Sequence, residues 1–262
     1  MRLSPFSLAI FVCMLGLAPL VGAEDKVVDI PTRPGVTQRF LLISAAEPKA
    51  AVVLFAGGHG GLQLNDAGSA RWGRNNFLVR SAGLFAAQGL TVVVIDAPSD
   101  RQSYPFLDRF RQTPEHAADV KAVIAWLKKE TRLPVWLIGT SRGTQSVGAA
   151  AVALRTDGGP DGIVLTSSIL QDARAKPVPD MALETLHLPV LVVHHEQDGC
   201  RLCLYRDVPR LMQKLTATSR KELIAFSGGE DVGDPCEALA YHGYNGLEKE
   251  VVARIADWLS SK

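Results

Sequence analysis

Neither sign of charge dominates this chain, with 28 Lys and Arg set against 27 Asp and Glu. A balanced surface excludes the strongly basic face that nucleic acid or an anionic membrane would demand. Beyond the first two dozen residues no run of about 18 apolar residues occurs, so no later transmembrane helix is expected. Internal repeats, low-complexity tracts and long linkers are missing too, which sets aside solenoids and disordered arrays. The glycine-rich stretch FAGGHGG (55–61) lacks the Gly-Lys-Ser/Thr ending of a phosphate loop and misses the spacing G-x-G-x-x-G. Cysteine is scarce at four residues. Cys200-x-x-Cys203 has no second CxxC and no His pair to complete a zinc site, and it falls too late for a thioredoxin-type motif. No metal and no organic cofactor is expected.

The first residues have a character of their own. Arg2 precedes an apolar core from Leu8 to Leu17, and Val21-Gly22-Ala23 offers small residues before Glu24. This reads as a signal peptide over 1–23, followed by a single domain over 24–262 and an exported, periplasmic or secreted location. In such a setting a disulfide is expected. Cys200–Cys236 is the better pairing, with Cys203 free or as the alternative partner.

What remains alternates short apolar strands with amphipathic helices. Strands are expected over 37–44, 50–58, 90–97, 134–140, 162–168, 188–196 and 221–228. Helices are expected over 76–89, 113–131, 146–156, 204–215 and 245–260. Thr113 is a plausible N-cap before Pro114. Strands that are β-branched, apolar throughout and separated by helices specify an α/β fold: a mostly parallel, doubly wound sheet with helices on both faces. Ligands in such sheets sit beyond the carboxyl ends of the strands.

Gly139-Thr140-Ser141-Arg142-Gly143 follows a strand and precedes a helix, fitting G-x-S-x-G. A turn this tight strains its central residue and exposes the Ser141 hydroxyl above the sheet. A serine needs a base. His242 lies in the loop after the last strand, at the functional edge. His116 falls inside a helix, His187 precedes a strand, and His194 and His195 lie in or at the end of one. Asp198, after strand 188–196, can orient His242, with Glu196, Asp231 and Asp234 as competitors. A Cys200–Cys236 bridge would tie the acid's loop to the base's. Backbone N–H groups of Arg142 and of Gly58 or His59 could form an oxyanion hole.

The order Ser141, Asp198, His242, the turn after a central strand and the glycine-rich loop after an earlier one resemble the α/β-hydrolase family over roughly 36–260. The resemblance implies a serine nucleophile, an aspartate and a histidine at those positions, and hydrolysis of a small acyl or ester substrate. A serine peptidase or acyltransferase with the same residues, or a non-catalytic binding protein on the fold, are the alternatives. Only 169–187 is available for a lid, so an open site is expected. Arg142 and the arginines of 69–81 could favour an acidic substrate.

Overall fold

A strand that is apolar on both faces must be covered on both, and the way the chain does this fixes where its loops meet. The computed structural model describes residues 25–261. The leader expected over 1–23 therefore lies outside the described residues. Eight strands form one sheet in the order β1-β2-β4-β3-β5-β6-β7-β8. β1 (Lys26–Arg33) and β2 (Val36–Ile43) are antiparallel to each other, and β2 is antiparallel to β4 (Leu90–Pro98). From β4 through β3 (Ala50–Phe55), β5 (Val135–Thr140), β6 (Gly162–Thr166), β7 (Val190–His195) and β8 (Lys221–Phe226) every pairing is parallel.

Side chains alternate between the two faces, as the pleat requires. Val53, Phe55 and Leu137 face one core with α3 (Pro114–Thr131), α4 (Gly143–Ala153) and α5 (Val208–Lys214). Val52, Leu54 and Ile138 face the other with α1 (Phe77–Arg80), α2 (Ala82–Ala87) and α6 (Glu248–Ser260). After β3 the chain passes to β4 on one side, then returns across β3 to β5 and continues outward to β8. The winding thus reverses between β3 and β5. That reversal is where a doubly wound sheet opens a crevice at its carboxyl edge, and the glycine-rich loop and Ser141 follow these two strands.

All seven expected strands form. β1 is an additional one: Ile30 alone is buried along it and Pro31 interrupts it, which suits an edge strand and hides it from a search for apolar runs. The helix expected over 76–89 is instead two short ones, broken at Ser81 beside Gly83, both weak helix formers. α4 starts at Gly143, three residues before the expected 146, because the turn at Ser141 leads straight into it. The segment expected as helix over 204–215 opens with a 3₁₀ turn, and α5 begins at Val208 with Pro209 in its first turn. Thr113 caps α3 as expected, its hydroxyl accepting from the His116 amide at 3.2 Å.

α3 also carries a buried imidazole. Among the described residues both ring nitrogens of His116 lack a partner, and the ring packs edge-on against Phe55 and Phe110. Burial, then the positive charges of Arg111 and Arg33, lower its pKa to about 3. The unfolded chain takes up this proton near pH ~6.5 and the folded chain only near 3, so stability drains away as pH falls between the two. His116→Leu should move the acid-unfolding midpoint, followed by circular dichroism, to lower pH; an unchanged midpoint would show that another group governs acid unfolding.

Candidate active site

The turn from β5 to α4 spends only Ser141 and Arg142 between strand and helix. Such a short reversal works because the backbones come into contact. A Cβ on Gly139 would lie 2.5 Å from the Gly143 carbonyl oxygen, and a Cβ on Gly143 would lie 2.0 Å from the Phe55 carbonyl oxygen. The same compression drives Ser141 to φ +52°, the left-handed region that costs a non-glycine residue about 1–2 kcal/mol. Three bonds hold it there: its amide donates to Thr166 O at 3.1 Å, and the Thr144 amide and Oγ1 donate to its carbonyl at 2.9 and 2.6 Å.

His242 lies in a 3₁₀ turn, Tyr241–Gly243, between β8 and α6. Its Nδ1 is 2.9 Å from Asp198 Oδ2, and both side chains are buried. A carboxylate only accepts, so Nδ1 carries a proton, and in the neutral imidazole the lone pair is then on Nε2. Among the described residues Nε2 has no partner. Asp198 is itself engaged on every side. Its Oδ1 accepts from the Cys200 amide at 2.9 Å, and its Oδ2 is 3.5 Å from His194 Nε2. Burial pushes the Asp198 carboxyl up, but the hydrogen bonds from His194 and His242 outweigh it and hold the group at about 2. The carboxylate is therefore ionised across the neutral range.

Four residues to which the sequence assigned no such role fix this pair. His194 Nε2 meets Cys203 O at 2.6 Å, which makes it the protonated nitrogen facing Asp198. Ser167, at φ +42°, donates its hydroxyl to His242 O at 2.7 Å. The Tyr244 hydroxyl donates to Val193 O at 2.9 Å and accepts from the Ser167 amide at 3.1 Å. Arg80 donates to Gly243 O at 2.7 Å. Only Ser167 left a usable signal, as a polar residue just past the end of β6.

The disulfide joins Cys200 to Cys236 and so connects the loop after β7 to the loop before His242. Cys203 is a free, buried thiol, and burial raises its pKa. His187 is exposed on the approach to β7. His195 stacks on Tyr241 at 4.5 Å, with Nε2 on Gly228 O. Neither reaches the cleft.

Ser141 and His242 both line a cleft of about 670 Å³, walled by Gly57–Gly61 on one side and by Trp72, Arg74 and Asn76 on another. No residue of 169–187 lines it. Gly57 passes so close that a Cβ there would sit 3.0 Å from Ser141 Cβ. The loop is clamped at two points. Arg111, fully buried, donates to Ala56 O at 3.1 Å, to Gly58 O at 3.2 Å and to Ser146 Oγ at 2.9 Å. Asp96 accepts from the amides of Leu62, Gln63 and Leu64 at 2.7–3.1 Å. Among the described residues nothing accepts from the amides of Gly58, His59 or Arg142. The His59 ring is occupied locally: it stacks on Phe106 at 4.3 Å and accepts from the Gly61 amide. The Arg142 guanidinium does not serve the cleft. It pairs with Asp172 at 2.9 Å and so is not placed to draw in an acidic substrate as expected, while Arg71 and Arg74 do line the cleft.

No family model matches the chain, and no curated protein matches its sequence. Solved structures do match its fold. The esterase Pf2001 of Pyrococcus furiosus superposes with a TM-score of 0.62 at 16% identity, over 90% of this chain and 92% of that one. A dienelactone hydrolase from Anabaena variabilis gives 0.61 at 16%, over 90% and 96%. XC6422 from Xanthomonas campestris, described as a serine hydrolase without a lid, gives 0.56 at 17%, over 94% and 100%. The fold of this chain is the α/β-hydrolase fold.

Strain at Ser141 has a direct consequence for stability. Ser141→Gly should be about 1 kcal/mol more stable in urea than Ser141→Ala, because glycine adopts positive φ freely and alanine does not. Equal midpoints would mean that the turn relaxes once the hydroxyl is gone.

Proposed function

We propose that the protein is a serine hydrolase that cleaves small acyl esters. The observation that carries this reading is the placement of His242: its Nδ1 meets the buried, ionised Asp198 at 2.9 Å, and its Nε2 has no partner among the described residues in a buried ring lining the same cleft as Ser141.

In this reading His242 Nε2 takes the Ser141 proton as the hydroxyl oxygen attacks the acyl carbon. Asp198 keeps the imidazole in the reactive tautomer and stabilises the imidazolium that forms. His242 then protonates the leaving alcohol. Water, deprotonated by the same nitrogen, releases the acid from the acyl-enzyme. The first amides of α4 favour the developing negative charge. The Arg142 amide supplies one donor to the tetrahedral oxyanion. The second comes from the glycine-rich loop, and Arg111 favours His59 over Gly58. A trans peptide points its carbonyl and the next N–H in opposite directions, so a guanidinium drawing the Gly58 carbonyl inward turns the His59 amide outward. Such donors contribute about 3–4 kcal/mol each to acyl transfer.

The neighbours named as an esterase, a dienelactone hydrolase and a serine hydrolase without a lid support ester cleavage. The unlidded cleft suits a small ester. Export is part of the same proposal: an apolar leader over 1–23 and a disulfide both suit an oxidising compartment. Among the described residues no helix is long and apolar enough to cross a membrane.

Hydrolysis of p-nitrophenyl acetate tests the reading. The wild type should turn it over. Ser141→Ala should lose ~10³-fold or more of that rate while keeping its fold. Asp198→Asn should lose ~10⁴-fold, because an amide favours the wrong tautomer of His242. Undiminished hydrolysis by Ser141→Ala would place the chemistry elsewhere.

A further inference from the structure

The proposed mechanism leaves one buried group without a task. Cys203 is fully buried beside the disulfide, and among the described residues its thiol makes no hydrogen bond. The sulfurs of Cys200 and Cys203 and a ring nitrogen of His242 all lie within 4.8 Å of one another. Cys236 is outside that group of three but is bonded to one member of it, Cys200. Three cysteine sulfurs and one imidazole nitrogen form a donor set that holds zinc tetrahedrally, with metal–ligand bonds of about 2.0–2.3 Å. Tetrahedral bonds of that length put neighbouring ligand atoms roughly 3.5–3.8 Å apart, so Cys200, Cys203 and His242 need movements of only about 1 Å to close on an ion, and Cys236, freed by reduction, turns in as the fourth ligand. The sequence disguises the set, because the four residues fall as C-x2-C, then 32 residues, then C-x5-H. Only the packing of the loop after β7 against the loop before α6 unites them.

While the disulfide stands, two of the three sulfurs are bonded to each other. We propose that reduction of Cys200–Cys236 turns this cluster into a binding site for a thiophilic divalent ion such as zinc. Its ligands are Cys200, Cys203, Cys236 and His242. Cys236 is exposed and lines the cleft, so a small dithiol can reach the bridge. The dithiol passes two electrons and two protons to the bridge, leaving two thiols, and is itself oxidised to a disulfide. The ion then enters with no change of oxidation state, and each coordinating thiol gives up its proton to water. His242 contributes a neutral nitrogen. If that is Nδ1, it is taken from Asp198; if Nε2, it is taken from Ser141. Either way the base is lost, so filling the site halts hydrolysis. That consequence rests on the function proposed above, whereas ion binding does not.

Cobalt(II) is the probe, because thiolate coordination in a tetrahedral site gives a near-ultraviolet charge-transfer band and intense visible bands. The mature protein is reduced with a phosphine, desalted under argon and titrated with cobalt. The expected result is one tetrahedral cobalt per chain, displaced by zinc, with none on the oxidised protein. Cys203→Ser should bind ~100-fold more weakly, at or beyond the loss that removal of an outer partner brings. Its intact mass, showing the Cys200–Cys236 bridge before reduction, reports that the variant folded. Ester hydrolysis should fall in step with occupancy and return on chelation. A reduced wild type without the bands overturns the site, as does a Cys203→Ser protein that binds equally well or hydrolysis that survives full occupancy. If the oxidised protein hydrolyses no ester, the hydrolase reading fails, and the cobalt spectrum still decides the site.

Discussion

Backbone contact between α4 and the strands beneath it governs the rest of this structure. The two missing Cβ atoms, at Gly139 and Gly143, let the helix start within two residues of β5 and press against the end of β3. Ser141 is thereby lifted into positive φ above the point where the winding of the sheet reverses. Among the described residues the Arg142 amide is left without an acceptor, and the glycine-rich loop is brought within contact of the serine. Replacing either glycine would move the helix, and with it the floor of the cleft. The strain on one serine is thus the local cost of placing a hydroxyl, free amides and a crevice together.

Buried charge then stiffens the loops that this turn brings together. Arg111 grips the glycine-rich loop by its carbonyls and Asp96 grips its far end by three amides. Asp198 is enclosed by a backbone amide and two imidazoles. Burying such a group is costly unless hydrogen bonds replace its lost hydration, and although Arg111 Nε has no partner among the described residues, the bonds each group does make fix the geometry around it. The disulfide adds a covalent link between the acid's loop and the base's loop. Arrangements held this firmly suit chemistry that depends on preorganised donors.

How much of this could be read from the sequence follows from which interactions are local. Apolar strands such as 50–58 and 134–140 announce themselves because they are buried on both faces. β1 does not, because an edge strand with one buried residue carries no such run. G-x-S-x-G fixed attention on Ser141, since the turn is built from five consecutive residues. Asp198 and His242 were legible from chain order and strand ends, and the structure brings their side chains together. Arg111, His194 and Tyr244 were not legible. Their roles arise from contacts across 9 to 55 residues of sequence, made between buried groups that look unremarkable in the chain. The charge of Arg142 misled for the same reason, because its partner Asp172 sits 30 residues away.

The central claim is that Ser141 is a nucleophile activated by His242, and its most direct test needs no substrate. The mature protein is treated with a fluorophosphonate, and its intact mass and peptide map are recorded. The account predicts one phosphonyl adduct per chain, located on Ser141. A folded protein that takes up no adduct, or carries it on another residue, would contradict it.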